Sequence, residues 1–299
     1  MSRSIKHRQL IGSMSFRIVS REELHPEVIR LIIEAPAIAA KAQAGQFVAV
    51  VADQTSERIP LTLADWDREK GTITLIFQKI GRSTRKLSVL GAGDAVAHIL
   101  GPLGHATEIK SYGEVVCIGG GVGIAEVYPV TRALKQAGNR VICIIGARSA
   151  GLLMLEDELR AVSDEFFVTT DDGSSGKKGL VTDVLAELFT VVEQSTHTQY
   201  PGLVYAIGPV PMMRAVAEVT RGCGVKTVVS LNPIMVDATG MCGACRCSVG
   251  KETKFGCVDG PDFDAHLVDF DELEKRLTLF REQEREGETG SAEYETKRA

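Results

Sequence analysis

The sequence predicts three structural units in succession: an antiparallel β-barrel, an α/β domain built on a parallel sheet, and a small cysteine-rich module. Three observations lead to this multidomain β and α/β architecture. Short β-branched runs separated by glycine and proline fill the first third, strands and helices alternate regularly from residue 114 to 231, and three of the seven cysteines crowd into residues 242–247. A chain of 299 residues is long enough for two or three such domains.

The first unit, residues 14–108, is predicted from five strand-like runs that turn residues separate. They are residues 15–20, 28–34, 47–51, 59–64 and 72–78. Many short strands without a long amphipathic segment are typical of a small antiparallel barrel. Because Met14 is followed at once by a clean strand, we expect residues 1–13 to be an extension outside the fold.

The second unit, residues 112–231, alternates apolar strands with helical segments. Strands are predicted at 115–118, 141–145, 166–169, 203–207 and 227–231, and helices at 124–136, 152–162, 181–189 and 211–221. This alternation is the pattern of a parallel sheet covered by helices on both faces. The third unit, residues 232–278, contains the cysteine cluster and a predicted helix at 272–277, and residues 279–299 form a second extension.

Composition and charge exclude several classes of partner. A formal charge of −5 without a Lys/Arg face argues against nucleic acid. No apolar run approaches the roughly 20 residues of a membrane span, and residues 1–13 lack the apolar core of a signal peptide. Cys117 and Cys143 lie in predicted strands, where thiols serve as small core residues in a reducing compartment. We therefore expect a cytoplasmic protein.

The cysteine cluster has the spacing of a metal site. Cys242 and Cys245 form a Cys-x-x-Cys hook, and Cys257 follows after eleven intervening residues. Thiolate ligation removes the oxidation hazard of crowded thiols. Plant-type [2Fe–2S] sites place another ligand five residues before the hook, which is Asp237 here. Iron–sulfur is favoured over zinc or a redox-active dithiol. Cys247 is a rival fourth ligand, although successive side chains of an extended Cys-x-Cys segment point apart.

A glycine-rich loop follows the first strand of the α/β unit and comprises Gly120, Gly121, Val122 and Gly123. Backbone N–H groups at a helix N-terminus, unobstructed by Cβ atoms, form a pyrophosphate cradle. We expect a Cβ added at Gly121 or Gly123 to occupy the space of the phosphate. The alternative is that the glycines only permit close packing of strand and helix.

Further candidates lie along the same carboxyl edge of the sheet, where ligands of α/β domains bind. They are Arg148, Asp171, Asp172, Gly208 and Pro209. The two aspartates either hold a ribose or cap a turn. The strand before Arg148 does not end in an acidic residue. By chemistry alone, an arginine without such an acid favours NADP(H) over NAD(H).

The barrel carries a second set of candidates. They are Arg58, Pro60, Leu61 and Thr62 in one strand, and Gly81, Ser83 and Thr84 before a short helix predicted at 84–90. A guanidinium suits phosphate, and a threonine hydroxyl can meet a ring nitrogen. Taken alone, Arg58 also fits a surface ion pair, but the two groups together favour a flavin pyrophosphate.

These motifs occur in the order of the ferredoxin–NADP reductase superfamily: Arg-x-Pro-Leu-Thr, Gly-x-Ser-Thr, Gly-Gly-Gly-Val-Gly and Gly-Pro-Val-Pro-Met-Met. With its Asp-x4-Cys-x2-Cys-x11-Cys module, the chain resembles the electron-transfer subunits of dihydroorotate dehydrogenase. It resembles still more the small subunits of NADH-dependent ferredoxin:NADP⁺ oxidoreductase, also described as sulfide dehydrogenase. The similarity covers roughly residues 14–277.

The resemblance implies FAD in the barrel, NAD(H) in the α/β domain with NADP(H) as the alternative, and a [2Fe–2S] cluster on Asp237, Cys242, Cys245 and Cys257. The pyrimidine-pathway subunits have four cysteines, so Asp237 matches the oxidoreductase branch. That branch implies a larger flavoprotein partner with FAD and [4Fe–4S] clusters, contact with ferredoxin through the complex, and electron bifurcation. No catalytic side chain is predicted. Delivery of electrons to dihydroorotate dehydrogenase and a zinc-stabilised nucleotide-binding module remain alternatives.

Overall fold

The structure is a computed structural model that describes residues 16–194 and 199–279. The predicted extension at 1–13, the next two residues, and all but the first residue of the extension at 279–299 lie outside the described residues. Within the described ranges, no helix is both long and apolar enough to cross a membrane.

The first unit is an antiparallel sheet of seven strands with two short helices. Its elements are β1 (Phe16–His25), β2 (Val28–Glu34), α1 (Pro36–Ala39), β3 (Phe47–Val51), β4 (Ile59–Asp67), β5 (Thr72–Gln78), α2 (Arg82–Ser88), β6 (Ala95–Val96) and β7 (His98–Leu103). The five predicted strands are all present. The helix predicted at 84–90 begins two residues earlier, because Thr84 caps its first turn from inside.

The seven strands curl into the predicted barrel. Their order is β6-β1-β2-β5-β4-β3-β7, so the two edge strands are β6 and β7. A single residue, Ala97, joins these two strands, which brings the edges of the sheet together. The interior is filled by fully buried side chains such as Ile18, Leu31 and Leu75. Near-closure leaves little unpaired edge, as expected for a small barrel.

The second unit is a parallel sheet with helices on both faces. Its elements are β8 (Glu114–Gly120), α3 (Gly123–Gln136), β9 (Arg140–Ala147), α4 (Glu156–Ala161), β10 (Glu165–Thr170), β11 (Lys177–Lys178), α5 (Val181–Gln194), β12 (Leu203–Ile207), α6 (Val210–Gly222) and β13 (Thr227–Ser230). The strand order is β11-β10-β9-β8-β12-β13, and every neighbouring pair is parallel. The order reverses between β8 and β12, which opens a crevice at their carboxyl ends.

One predicted helix is wrong in extent. The helix expected at 152–162 divides into a short 3₁₀ turn, Ala150–Leu152, and α4 at Glu156–Ala161. Leu155 between them has φ of 55°, in the left-handed region. A residue in that conformation cannot continue a right-handed helix, so the segment bends there.

The cysteine-rich segment is joined to the α/β unit by hydrogen-bonded strands. It contains β14 (Arg246–Val249), β15 (Glu252–Phe255), β16 (Asp262–Asp264) and α7 (Phe270–Leu277). β14 and β15 form a hairpin, whereas β16 pairs antiparallel with β13 and extends the seven-stranded sheet at its edge. This fixes where the cysteine loop stands relative to the crevice.

A carboxyl group on β16 bonds to the other two units. Asp262 Oδ2 accepts a hydrogen bond from the Thr107 hydroxyl at 2.6 Å, and Oδ1 accepts one from the Tyr205 hydroxyl at 3.1 Å. Thr107 follows the barrel, Tyr205 lies on β12, and Ser230 on β13 also bonds to the carboxyl group. Burial raises the pKa of Asp262 to about 6, against the opposing effect of the three hydroxyls.

Candidate functional site

A cavity of about 550 Å³ opens at the carboxyl edge of the parallel sheet. Its walls are the glycine loop after β8, the ends of β9 and β10, the turn after β12, and Gln78 at the end of barrel strand β5. Cavities of this size hold small-molecule ligands. Because both units contribute to the wall, a ligand in the cavity would contact the barrel as well as the sheet.

The structure brings together seven residues that the sequence predicts. Lining the cavity are Gly120, Gly121, Val122, Arg148, Asp171, Gly208 and Pro209. Asp172 is used differently, since its Oδ1 accepts hydrogen bonds from the N–H and O–H of Ser174 at 2.9 and 2.6 Å. These two bonds lower the pKa of Asp172. Asp172 therefore caps its turn, whereas Asp171 faces the cavity.

The glycines of the loop differ in what surrounds them. A Cβ built on Gly121 meets no atom within 4 Å, and its φ of +57° is in the left-handed region. A Cβ on Gly123 would lie 2.4 Å from the backbone oxygen of Ile207. The expectation that both glycines keep space for a phosphate is wrong for Gly123, because its missing Cβ permits α3 to pack against β12. Gly121 alone of this pair keeps an open cradle.

The barrel candidates lie beside the cavity without lining it. Pro60 and Leu61 pair in register with Ala49 and Val48 of β3, and Thr62 pairs with Phe47. Thr62 thus lies on β4, which is the barrel strand that packs against α3. Ser83 is buried. In the second group, the Thr84 hydroxyl accepts a hydrogen bond from the Gly81 N–H and donates one to the Gly81 carbonyl, both at 2.9 Å. Thr84 thus caps α2.

Arg58 contacts the cysteine-rich segment. Its Nη1 donates a hydrogen bond to the backbone oxygen of Asp237 at 2.9 Å. The alternative of a surface ion pair is not seen within the described residues, where the bond to this carbonyl is the contact that Arg58 makes. A guanidinium has five N–H donors, so one bond to a carbonyl leaves donors for a phosphate. Arg58 therefore links the start of β4 to the loop before the Cys-x-x-Cys hook.

Glu126 is a cavity residue that the sequence motifs did not indicate. This residue lies in the first turn of α3, lines the cavity, and interacts with the Thr62 hydroxyl across the boundary between the two units. Burial raises the pKa of Glu126 to about 7, and the bond with Thr62 lowers it in part. An acidic residue directly after a glycine loop, at the start of an apolar helix, was the available signal.

The four predicted metal ligands fall into two pairs. The Sγ atoms of Cys245 and Cys257 are 3.2 Å apart in the interior. The Asp237 carboxylate interacts with the more exposed Cys242, and its pKa is lowered mainly by the hydrogen bond from the Thr239 N–H. Among the described residues, no three His, Cys, Asp or Glu side chains are grouped as ligands of a single ion. Two pairs are the arrangement that a two-iron cluster uses.

Cys247 points away from these pairs. Its side chain is 1% exposed and lies in the core beneath α7, with Phe270 and Leu273. The thiol donates a weak hydrogen bond to the backbone oxygen of Lys254 at 3.7 Å. This geometry favours Asp237 over Cys247 as the fourth ligand.

The paired cysteines pack against the barrel. Cys245 and Cys257 share a small buried cluster with Phe47 and Ala49 of β3. Phe47 is the register partner of Thr62, whose hydroxyl meets Glu126 at the cavity. Register partners of an antiparallel pair have their side chains on the same face of the sheet, so Phe47 and Thr62 are neighbours between the paired cysteines and Glu126.

Comparison with known proteins identifies two regions of the chain. Residues 117–218 match the oxidoreductase NAD-binding domain, and residues 232–269 match the iron–sulfur cluster binding domain of dihydroorotate dehydrogenase B. A relative from Thermotoga maritima, a dihydroorotate dehydrogenase B (NAD(+)) electron transfer subunit homolog, is 43% identical over 274 residues, which cover 92% of this chain and 94% of that protein. The chain belongs to this family of electron-transfer subunits.

Other relatives agree with this family. The dihydroorotate dehydrogenase B (NAD(+)) electron transfer subunit of Geobacillus thermodenitrificans is 31% identical over 268 residues, covering 87% of this chain and 99% of its own length. A chain of the NADH-dependent reduced ferredoxin-NADP oxidoreductase structure, studied for flavin-based electron bifurcation, superposes with a TM-score of 0.85 at 42% identity. It covers 94% of this chain and 99% of its own length. The predicted superfamily, fold class and oxidoreductase character are thereby confirmed.

The same fold occurs in a solved structure with lower sequence identity. Phthalate dioxygenase reductase superposes with a TM-score of 0.54 at 17% identity, covering 80% of this chain and 87% of its own length. Such a likeness concerns the fold alone. The family thus combines a barrel, a NAD-binding domain and an iron–sulfur binding domain in one electron-transfer subunit.

Proposed function

We propose that the chain is the small subunit of an NADH-dependent ferredoxin:NADP⁺ oxidoreductase. In this proposal NAD(H) occupies the cavity, FAD lies on the barrel beside Thr62, and Asp237, Cys242, Cys245 and Cys257 hold a [2Fe–2S] cluster. The observation that carries the proposal is the Asp237 carboxylate beside Cys242, with Cys247 buried elsewhere. An aspartate ligand is what the oxidoreductase branch of the family implies.

The order of the sites supports electron transfer through the barrel. Thr62 interacts with Glu126 of the cavity wall, and its cross-strand partner Phe47 packs with the paired cysteines. A nicotinamide gives two electrons at once as hydride, whereas an iron–sulfur cluster accepts one electron at a time, so the two cannot exchange electrons directly. FAD, when bound, would accept the hydride and pass the two electrons on singly. Gly121 leaves space for a pyrophosphate, and Arg58 has free donors for one.

The surface beside the cluster loop supports a protein partner. Met241 is 88% exposed, and Val236 and Val258 are also exposed near Cys242. Apolar side chains grouped at a redox site favour an interface with another protein. We propose that this partner is the larger flavoprotein with FAD and [4Fe–4S] clusters, through which the complex meets ferredoxin.

Purification from the native organism under anaerobic conditions tests the proposal. We expect FAD and [2Fe–2S] absorption in the chain and co-purification of a flavoprotein with two [4Fe–4S] clusters. Co-purification of a dihydroorotate-oxidising flavoprotein would instead place the chain with the pyrimidine-pathway subunits. Stoichiometric zinc without iron or acid-labile sulfide would refute the cluster. Comparing the rates of flavin reduction by NADH and by NADPH identifies the nucleotide. Exposed Arg148 at the cavity does not by itself distinguish NAD(H) from NADP(H).

Replacing Gly121 and Gly123 separately should distinguish binding from packing. Gly121→Ala places a methyl group in the open cradle, and its left-handed φ costs about 1–2 kcal/mol, so we expect at least a tenfold weaker affinity for NADH with modest destabilisation. Gly123→Ala drives a Cβ against the Ile207 carbonyl and should lower the free energy of unfolding by about 3 kcal/mol. NADH titration and urea unfolding measure the two effects. Unchanged NADH affinity in Gly121→Ala would place the nucleotide elsewhere.

Arg58→Ala should weaken FAD binding by one to two orders of magnitude. Charge-assisted hydrogen bonds contribute about 1.5–3 kcal/mol each, and 1.4 kcal/mol is tenfold in affinity. Flavin fluorescence on titration with FAD measures the loss. Arg246→Ala is the matched control, because exposed Arg246 likewise donates to a backbone oxygen of the cysteine loop, that of Gly243 at 3.3 Å. Equal FAD affinity in both variants would remove Arg58 from the flavin site.

A further inference from the structure

The segment that follows Cys257 lies directly against the end of the barrel. A Cβ built on Gly104, which follows β7, would lie 2.8 Å from the ring of Phe47. The same Cβ would lie 3.0 Å from the backbone oxygen of Gly260 and 3.0 Å from the ring of Pro261. With φ of +73°, this position also has a backbone conformation that favours glycine. The barrel and this segment therefore meet with no space for a side chain between them.

Two hydrogen bonds hold the contact. The His105 N–H donates to the backbone oxygen of Gly260 at 2.7 Å, and the Thr107 hydroxyl donates to Asp262 Oδ2 at 2.6 Å. The Thr107 N–H in turn donates to the backbone oxygen of Ala44 at 2.9 Å. Thr107 therefore ties β16 to the loop that leads into β3.

The same part of the barrel contacts the cysteines. Phe47 begins β3 directly after the loop to which Thr107 is bonded, and it shares a buried cluster with Cys245 and Cys257. Asp262 lies five residues after Cys257. The segment 257–262 is therefore held on the barrel at both ends, by packing on Phe47 at its start and by the bond from Thr107 at its end.

The other oxygen of the Asp262 carboxyl group bonds to the α/β unit. Asp262 Oδ1 accepts a hydrogen bond from the Tyr205 hydroxyl at 3.1 Å, and β16 pairs with β13. These contacts fix β16 on the parallel sheet and do not involve the barrel. Of the two hydroxyl groups, that of Thr107 is the one that links Asp262 to the barrel. The two bonds can therefore be removed separately.

We propose that Thr107 is a positioning residue for electron transfer from the barrel to the cluster, because its bond to Asp262 holds the segment of Cys257 against the barrel. This inference rests on the proposed function, in which FAD lies on the barrel and Cys257 is a cluster ligand. NADH supplies the electrons as hydride, and they reach the cluster one at a time. In each transfer the reduced flavin loses one electron and the oxidised cluster gains it, and no bond to the cluster forms or breaks. The rate of such a step falls steeply with the distance between the two centres.

Two kinetic measurements separate this step from hydride transfer. In the full chain with FAD and cluster, a laser flash with deazariboflavin as photoreductant reduces the bound flavin, and transient absorbance follows reduction of the cluster. Stopped-flow mixing with NADH records reduction of the flavin. Thr107→Val keeps the shape of threonine without its hydroxyl. We expect flavin reduction within twofold of wild type and cluster reduction about tenfold slower, since a small displacement of a reacting pair lowers its rate steeply. Thr107→Ser keeps the hydroxyl and should restore the rate.

Tyr205→Phe is the matched control. It removes the hydroxyl that bonds to the other oxygen of Asp262 and leaves the bond to the barrel in place, so cluster reduction should keep its wild-type rate. Amide hydrogen exchange, followed by mass spectrometry, is independent of electron transfer. Residues 257–262 should exchange faster in Thr107→Val than in Tyr205→Phe. The cluster potential, measured by EPR titration, should be the same in both variants, because neither substitution changes a ligand.

The outcomes distinguish the inference from the proposed function. A wild-type rate of cluster reduction in Thr107→Val, or equal slowing in Tyr205→Phe, would overturn the inference and leave the proposed function intact. If Thr107→Val does not fold, Thr107→Ala replaces it, with the same expected and contradicting results. Absence of flavin or iron–sulfur absorption from the wild-type chain before the flash would instead refute the proposed function.

Discussion

Replacing Asp237 with alanine should reduce cluster occupancy at least tenfold, and replacing it with cysteine should retain the cluster at a lower reduction potential. The carboxylate stands beside Cys242, and its charge acts on Cys257 of the buried pair Cys245 and Cys257. A carboxylate donates less negative charge to iron than a thiolate, so the wild-type cluster should have the higher potential and a different EPR signature. Iron and sulfide analysis with potentiometric EPR titration measures both changes.

Cys247→Ala is the matched control for Asp237. Cys247 belongs to the same segment but contacts the core beneath α7 rather than the ligand pairs. We expect its removal to leave the cluster spectrum and potential unchanged and to lower the free energy of unfolding by about 1 kcal/mol through lost packing. If Cys247→Ala abolished the cluster while Asp237→Ala preserved its spectrum and potential, Cys247 would be the fourth ligand.

Asp262→Ala should destabilise the chain by at least about 3 kcal/mol. The substitution leaves the hydroxyls of Thr107, Tyr205 and Ser230 buried without their shared partner, and each buried unsatisfied polar group costs about 1–3 kcal/mol. Because these hydroxyls belong to the barrel and to the α/β unit, whereas Asp262 belongs to the cysteine-rich unit, we expect the loss to appear as separate unfolding of the barrel. Urea unfolding followed by Trp66 fluorescence in the barrel and by circular dichroism measures it.

The pH dependence of stability gives Asp262 a second signature. Its pKa rises from 3.8 to about 6 on folding, so the folded state binds the proton more tightly. The stabilisation is complete below pH 3.8 and is lost as the pH rises through about 6, a change on the order of 3 kcal/mol. Asp262→Asn, which cannot ionise, should remove this slope while keeping partners for the hydroxyls. Asp264→Ala, exposed on the same strand, is the control and should keep the slope.

Local sequence patterns were sufficient for most of the fold. Strand runs and the alternation of strands with helices depend on neighbours two to four residues apart, and these gave the barrel, the parallel sheet and their order along the chain. The helix expected at 152–162 failed because Leu155 adopts a left-handed conformation that periodicity does not register. Strand β16 was missed because three residues carry too little pattern, and its pairing with β13 is a contact between distant segments.

The candidate sites divide in the same way. The sequence by itself determined the kinds of chemistry, because a glycine loop, a Cys-x-x-Cys hook with Asp237 before it, and an Arg-x-Pro-Leu-Thr strand each act through residues close in sequence. Only the tertiary structure decided that Gly123 serves packing against Ile207, that Cys247 is buried away from the ligand pairs, and that Glu126 lines the cavity. These outcomes depend on which atoms of remote segments are brought within contact distance, and burial and pKa follow from that proximity rather than from residue type.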